Sequence, residues 1–182
     1  SKKLKQLASE KGHDAFTFKL KREIHRNLGA YMTPQVAYMQ SLGLETLQLR
    51  YQKASATAAA LAHQLAELPA VQCVNYPGLA SNPFYAVSKS QFGSNPGAML
   101  TFDLESEAAC FAFLNKLKLI KRATNLFDNK SLALHPYTTI YGNYSKEAKA
   151  LMHIHDTTIR LSVGLEDVED LMEDLHRSVC IV

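Results

Sequence analysis

Residues 155–175 read HDTTIRLSVGLEDVEDLMEDL, and this stretch decides the fold class. Apolar and polar residues alternate over residues 158–163, which predicts a β-strand with one apolar and one polar face. From Val168 the apolar residues recur three or four positions apart, which predicts an amphipathic helix with a buried stripe of Val168, Leu171, Met172, Leu175 and Val179. A strand that leads directly into such a helix indicates a domain in which helices pack on a sheet.

Arg160 lies at the centre of the predicted strand, on the face opposite Ile159 and Leu161. Two interpretations of that face are open. An antiparallel sheet commonly leaves one face in solvent, and Arg160 is then an ordinary surface residue. Alternatively, the guanidinium offers its rigid fork of donors to a carboxylate, an arrangement that lysine cannot reproduce. The spacing alone does not choose between them.

The pattern upstream of this strand adds helices and further strands. Helical turns are expected over residues 1–28, with an interruption near Gly12 and an end at Gly29. Thr33-Pro34 starts a helix that is expected to run to Leu68. A straight helix of that length would be about 50 Å long, which exceeds the width of a small domain. The helix is therefore expected either to bend near Gly43 or to project outward. Strands are expected at 71–76, 97–103 and 132–134, and helices at 105–119 and after Ser145. The predicted fold is α+β, with a small, mostly antiparallel sheet, helices on one face and a long N-terminal connecting helix.

Composition limits the function classes. The chain has 182 residues, 47% of them hydrophobic, and no apolar stretch approaches the roughly 20 residues of a membrane span. Eight Lys or Arg and three acidic residues fall within residues 1–26, but aromatic residues are not interleaved with them, so a solvated helix face is favoured over nucleic-acid binding. Cys73, Cys110 and Cys180 are scattered, which favours a cytoplasmic location.

Several smaller patterns carry no catalytic assignment. His153, His155 and Asp156 are interpreted as a coincidental cluster, so no metal site is expected. His135 before Pro136 is expected to be a turn residue that binds backbone groups. Acidic residues crowd the start of the last helix, where they favour the helix dipole, and are interpreted as stabilising: Glu166, Asp167, Glu169 and Asp170.

Residues 160–171, RLSVGLEDVEDL, resemble the C-terminal signature of the Cys/Met-metabolism, or trans-sulfuration, family of pyridoxal-phosphate enzymes. Further segments resemble the same family in the same order: SLGLETLQLR at 41–50, VNYPGL at 74–79, FLNKLKLI at 113–120, and ATNLFDNKSL at 123–132 followed by His135-Pro136. These five separated matches cover nearly the whole chain.

The resemblance implies the C-terminal small domain of a fold-type I enzyme. In this family a larger domain holds pyridoxal phosphate and its Schiff-base lysine, and that domain would precede Ser1. Residues 1–33 would then form a helical arm that belongs to or packs on the cofactor domain, and residues 34–182 the domain that closes over an amino-acid substrate. Lys89 is expected to be a surface lysine and not the Schiff-base lysine. The chain alone is expected to be inactive, because the Schiff-base lysine lies in the other domain and this chain supplies only one wall of the site. The family also implies a homo-oligomer built as a dimer of dimers, with no nucleic-acid or membrane partner.

The resemblance assigns two substrate-binding residues and no catalytic, cofactor-binding or metal-binding residue. Arg160 matches the arginine that grips the substrate α-carboxylate, and Asn125 matches a loop residue that approaches the same carboxylate. The chain departs from the family at Phe127, where glycine is usual, and at Ile140-Tyr141, where many members have Thr-His. The pattern Asn125, Asp128, Lys130 and Thr138-Thr139 resembles the O-acetylhomoserine sulfhydrylase branch, which implies γ-replacement on O-acetylhomoserine. A methionine or cystathionine γ-lyase and a non-catalytic α+β interaction module are the alternatives.

Overall fold

A computed structural model describes residues 2–179 and divides the chain into two compact units, Ser1–Glu45 and Thr46–Val182. Cys180, the third cysteine of the sequence, lies outside the described residues. In the first unit the helical segments are α1 (Lys2–Lys11), α2 (Ala15–Lys19), α3 (Arg26–Leu28) and α4 (Pro34–Glu45), with a 3₁₀ turn at Gly12–Asp14 and a π-helical segment at Leu20–His25.

The boundaries of the first unit follow the local chemistry expected from the sequence. Gly29 adopts the left-handed backbone, with φ of 62°, and ends α3 as a C-terminal glycine commonly does. The backbone N–H of Val36 donates to Thr33 Oγ1 at 3.3 Å, so Thr33 satisfies part of the first turn of α4. Ala15 is the one buried side chain among the described residues of this unit, and many large apolar side chains are exposed, including Phe16, Leu28, Tyr31, Met32, Val36, Tyr38, Met39 and Leu44.

The single long helix predicted from Thr33-Pro34 to Leu68 is interrupted. Thr46 separates α4 from α5 (Leu47–Ala66), because its ψ of 3° departs from the helical value. The side chain of Thr46 also accepts a hydrogen bond from Arg50 Nε at 3.2 Å. Thr46 lies three positions after Gly43, the glycine at which the sequence predicts a bend. No helix among residues 2–179 is long and apolar enough to cross a membrane.

The second unit contains α5 and a five-stranded sheet. Its further helices are α6 (Tyr85–Phe92), α7 (Glu107–Lys116), α8 (Lys146–Leu151) and α9 (Val168–Val179). Its strands are β1 (Cys73–Asn75), β2 (Met99–Asp103), β3 (Lys121–Arg122), β4 (Leu132–Leu134) and β5 (Thr158–Ser162), in the order β1-β2-β5-β4-β3. The pairs are antiparallel except for the parallel pair of β3 and β4.

Helix α6 and strand β3 were not expected from the sequence. The sequence indicates a loop with Asn82-Pro83 after the Pro77-Gly78 turn and assigns no helix to residues 85–92. The first turn of α6 is nevertheless preceded by a turn in which the N–H of Phe84 binds Asn82 Oδ1 at 2.9 Å. Strand β3 has two exposed polar residues and exists through its pairing with β4.

The core lies between one sheet face and three helices. Phe102 of β2 and Ile159 of β5 are fully buried, and Phe102 meets Phe113 of α7 edge to face at 5.5 Å. The helical side of this core comes from α5, α7 and α9, with Leu61, Leu65, Phe113, Leu171 and Leu175 all at 0% exposure. Full burial of each such side chain stabilises the fold by about 1.5–3 kcal/mol. The predicted α+β architecture with helices on one face of the sheet is confirmed.

The end of α7 is fixed by a buried carboxylate. Asp174 of α9 is 2% exposed, and its oxygens accept hydrogen bonds from three consecutive backbone N–H groups, those of residues 118, 119 and 120, at 2.9 Å each. Arg177 forms an ion pair with the same carboxylate. Charge-assisted bonds of this kind hold the chain firmly. They set the path from α7 into β3 and towards the loop that follows it.

Candidate functional site

Arg160 occupies the middle of β5, between Thr101 of β2 and Leu134 of β4 in the sheet register. One terminal nitrogen of its guanidinium donates to the carbonyl oxygen of Thr124 at 2.8 Å and lies 3.5 Å from that of Asn125. Its Nε is buried and has no hydrogen-bond partner among the described residues. Partial burial lowers the pKa of Arg160 from its ordinary value, and the described residues place no carboxylate in an ion pair with it. The site thus holds a partly desolvated cation to which the described residues supply no counter-charge.

The rest of this strand face is not an ordinary solvent-exposed surface. Thr158 and Ser162, which alternate with Arg160, are 7% and 0% exposed. The Thr158 hydroxyl donates to the carboxylate of Asp103, and Ser162 Oγ accepts the backbone N–H of Phe127 at 2.9 Å. The interpretation of a simply wet face is therefore wrong for these two residues. Their hydrogen bonds leave Arg160 as the cation at the centre of a structured polar surface.

Asn125 lies beside Arg160 in the β3–β4 loop (residues 123–131). The structure brings the two predicted site residues together through the loop backbone, since the carbonyls of residues 124 and 125 face the guanidinium. The Asn125 residue itself is exposed. A ligand at Arg160 is therefore within reach of the loop that carries Asn125.

A groove of about 570 Å³ adjoins Arg160. Both apolar and polar side chains form its wall. The lining residues are Asn75, Thr101, Pro136, Ile140, Tyr141, Met152, His153, Ile154, Thr158 and Arg160. This volume lies within the range of small-molecule sites. Ile140 and Tyr141, at which the chain departs from the resembled pattern, both line the groove. The arrangement suits a small molecule with one carboxylate end.

Phe127, the other departure, has a φ of 53°, in the left-handed region that favours glycine. The backbone geometry thus accounts for a glycine being usual at this position in the resembled family. The ring of Phe127 lies 5.8 Å from the ring of Tyr51 on α5, and the Tyr51 hydroxyl donates to the Asn95 carbonyl at 2.7 Å. The substitution therefore links the β3–β4 loop to α5.

Glu166 has a role that the sequence did not indicate. It was expected to support the start of the last helix, but its carboxylate binds Ser131 at the end of the β3–β4 loop. The stabilising contacts of Glu166 are therefore made with the β3–β4 loop. The two residues are 35 positions apart, so no local pattern reveals the pair.

The remaining titratable candidates are structural or exposed. His135 is 1% exposed, with Nδ1 2.9 Å from Thr138 Oγ1 and Nε2 2.7 Å from the carbonyl oxygen of Asp156, which agrees with its expected turn role. No group of three or more metal-ligating side chains occurs among residues 2–179. Lys89 is exposed on α6, with its Nζ 5.6 Å from the Tyr85 ring centre.

A family profile described as "Cys/Met metabolism PLP-dependent enzyme" matches residues 8–180. The chain belongs to this family. Among curated relatives, it is 40% identical over 152 residues to L-methionine gamma-lyase of Pseudomonas putida, a match that covers 83% of this chain and 38% of that protein. It is 38% identical over 175 residues to O-acetyl-L-homoserine sulfhydrylase 1 of Thermus thermophilus, covering 96% and 42% respectively.

Solved structures of family members share the fold. The O-acetylhomoserine sulfhydrylase of Wolinella succinogenes superposes with a TM-score of 0.79 at 44% identity, covering 97% of this chain and 47% of that one. A putative O-acetylhomoserine (thiol)-lyase from Campylobacter jejuni gives a TM-score of 0.86 at 36% identity, covering 90% and 39%. The chain thus spans about two fifths of the length of the curated relatives it matches. Family and fold class, a fold-type I pyridoxal-phosphate enzyme, are as the sequence predicts.

The family is pyridoxal-phosphate-dependent, but the described residues do not fit a complete cofactor site. A Schiff-base lysine has to be held at the cofactor, and Lys89 is instead exposed. Lys149, a buried lysine, has its Nζ 3.9 Å from the centre of the Tyr137 ring, where a cation–π contact engages it. What the described residues do offer is a partly buried cation, Arg160, beside a groove.

Proposed function

We propose that this chain is the C-terminal, substrate-closing part of a pyridoxal-phosphate enzyme of sulfur amino-acid metabolism, in which Arg160 binds the α-carboxylate of the substrate. The observation that carries the proposal is the half-buried guanidinium, which borders the groove and is paired with backbone carbonyls but with no acidic residue within residues 2–179. In this assignment residues 1–33 form an arm towards the cofactor domain and residues 34–182 form the closing domain. The complete enzyme would be a cytoplasmic dimer of dimers.

The physical argument rests on charge and geometry. Partial burial removes some of the solvation of the protonated guanidinium, and this loss lowers the pKa of Arg160. A ligand carboxylate restores that lost stabilisation, and each charge-assisted hydrogen bond contributes about 1.5–3 kcal/mol. Because β5 is an internal strand with partners on both sides, the position of the guanidinium is well defined before substrate arrives.

The favoured reaction is replacement of the γ-substituent of O-acetylhomoserine by a sulfur nucleophile. The loop pattern around Asn125 supports this branch, as does the similarity to two proteins named O-acetylhomoserine sulfhydrylase. Pyridoxal phosphate, when bound by the rest of the enzyme, acts as the electron sink of such chemistry. The residues of this chain orient the amino acid through Arg160 and Asn125, while Ile140 and Tyr141 exclude water from one side of the groove.

A γ-lyase is the second candidate, favoured by the 40% identity to L-methionine gamma-lyase. In the sulfhydrylase reaction a sulfur nucleophile adds at the γ-carbon. In the γ-lyase reaction no nucleophile adds, and the product leaves as an unsaturated compound that is then hydrolysed. Assays of the enzyme that contains this chain, with O-acetyl-L-homoserine and sulfide and then with L-methionine, separate them. Homocysteine formation supports the sulfhydrylase, and methanethiol release from methionine supports the lyase.

Arg160→Lys tests the carboxylate role. Lysine keeps the charge but loses the fork, so kcat/KM for the amino acid is expected to fall about 10²-fold or more. The absorbance spectrum of the bound cofactor should not change, because Arg160 contacts substrate and not cofactor in this proposal. Arg122→Lys is the matched control, since Arg122 is an exposed residue of β3 that donates to Asn115 Oδ1 at 2.7 Å. Unchanged kinetics for Arg160→Lys would refute the proposal.

A further inference from the structure

The β3–β4 loop is exposed for most of its length and yet firmly attached. Residues 124–126 and 128–130 are exposed, whereas Ser131 at its end is fully buried. Hydrogen bonds join residues 160–166, called here the signature run, to the loop at four separate positions. The run donates to residues 124 and 129, and it accepts from residues 127 and 131. The loop's path is therefore set by contacts with this run.

Glu166 makes the most complete of these attachments. Its Oε1 accepts the backbone N–H of Ser131 at 2.7 Å, and its Oε2 accepts the Ser131 hydroxyl at 2.8 Å. The same hydroxyl accepts the backbone N–H of Gly164 at 2.9 Å. Both carboxylate oxygens, the Ser131 N–H and the Ser131 hydroxyl, which donates one bond and accepts another, are thus used in one cluster. Such charge-assisted bonds are short and directional.

Gly164 lets the signature run approach this closely. A Cβ at position 164 would lie 2.6 Å from the carbonyl oxygen of Asn129 and 2.6 Å from the carbonyl carbon of Lys130. Leu165 N donates to the same Asn129 oxygen at 3.0 Å. The backbones of the run and the loop are therefore in direct contact, and Glu166 is placed at Ser131 without spare space.

We infer that Glu166 is a positioning residue for the substrate carboxylate site, acting through Ser131 and the β3–β4 loop. The loop enters beside Arg160, at Thr124 and Asn125, and is held at its exit by Glu166. A loop fixed at both ends has few conformations, so the carbonyls and the amide at its entry keep a constant distance from the guanidinium. The kinetic consequence rests on the proposed function of Arg160, whereas the attachment itself does not.

The attachment is tested by hydrogen exchange on the full 182-residue chain. Glu166→Ala is expected to increase exchange at the amides of Phe127 and Ser131 at least about tenfold, because the loop opens locally, while the amides of β2 stay protected. Glu166→Gln should give an intermediate increase, since its amide oxygen still accepts the Ser131 N–H but its amide nitrogen cannot accept the hydroxyl proton. Glu173→Ala, an exposed acidic residue of α9, is the control and should change nothing.

A purely structural role is distinguished by kinetics of the enzyme that contains this chain. Glu166→Gln, which preserves side-chain size, should raise KM for O-acetyl-L-homoserine about tenfold and leave kcat within about threefold, because ground-state binding is impaired. Ser131→Ala should reproduce this split, and the double variant should add little to either change, since both residues act in one cluster.

Each result decides a separate statement. Unchanged loop exchange in Glu166→Ala and Glu166→Gln would overturn the inference, as would faster loop exchange with an unchanged KM. If the wild-type enzyme does not use O-acetyl-L-homoserine, the proposed reaction is refuted, and the exchange experiment still decides whether Glu166 holds the loop. A variant that fails to fold is recognised by loss of protection in β2, and Glu166→Gln then provides the answer.

Discussion

Replacement of Phe127 by glycine and by alanine should reverse the usual order of stability of these two residues. A non-glycine residue in the left-handed region costs about 1–2 kcal/mol, and Phe127 has a φ of 53°. Alanine retains that cost and glycine relieves it. Both variants lose the ring contact with Tyr51, and both keep the N–H that binds Ser162, so these terms cancel in the comparison.

The expected difference follows from two opposing effects. Alanine restricts the unfolded chain and is thereby favoured over glycine by about 0.4–1 kcal/mol at ordinary positions. At position 127 the relief of strain exceeds this, so Phe127→Gly should be more stable than Phe127→Ala by about 0.5–1 kcal/mol. Relative to the wild type, Phe127→Gly should be nearly neutral, because loss of an aromatic pair costs about 0.5–1.5 kcal/mol.

Urea unfolding of the full chain, followed by circular dichroism, measures these differences. The same pair of changes at Leu126 is the matched control, because Leu126 is exposed, lies in the same loop and is not among the described residues with positive φ. There alanine should be the more stable variant by about 0.4–1 kcal/mol. If alanine exceeds glycine at both positions by the same margin, the left-handed backbone at Phe127 is wrong, and so is its explanation of the family glycine.

Three further predictions concern side-chain chemistry. Burial raises the pKa of Tyr76 to about 12, and its hydroxyl donates to the Gly97 carbonyl. The stability that the neutral hydroxyl contributes should therefore be intact below about pH 10 and lost towards pH 12. A spectrophotometric titration should show one tyrosine that ionises at higher pH than the others, and Tyr76→Phe should remove that transition. Burial likewise raises the pKa of the Cys110 thiol to about 12. Iodoacetamide at neutral pH should therefore modify the exposed Cys73 and leave Cys110 unmodified, as measured by peptide mass spectrometry. Equal labelling of the two cysteines would contradict the structure. Pyridoxal phosphate followed by borohydride should trap no stoichiometric adduct on Lys89 in the isolated chain, which is expected to be inactive, and a specific adduct there would reverse that expectation.

The sequence predicts the core elements because the packing of one face of each element determines both which side chains are buried and how often apolar residues recur along the sequence. In β5 the apolar residues alternate since one face packs on helices, and in α9 they recur at helical spacing since one stripe packs on the sheet. Ser145 was likewise readable as a helix cap, and its Oγ accepts the N–H of Ala148 at 3.2 Å. Patterns of this kind are local, so a single sequence reveals them.

The missed features depend on contacts between distant residues. Strand β3 has only Lys121 and Arg122, both polar and exposed, and it is a strand because β4 lies beside it. Helix α6 has exposed apolar residues such as Val87 and no clear apolar face, so no helical periodicity in the sequence indicates it. The pairing of Glu166 with Ser131 crosses 35 positions and resembles ordinary helix-start chemistry when read locally.

The close contact between the signature run and the β3–β4 loop makes the two segments one structural unit. In an extended strand, a single inserted residue turns every following side chain to the opposite face. An insertion between Arg160 and Ser162 would therefore carry Ser162 away from Phe127 and shift Glu166 away from Ser131 while leaving the guanidinium in place. A substrate loop that is transferred from one relative to another should therefore be transferred together with the signature run, since either segment alone would lack the hydrogen-bond partners that hold it in place.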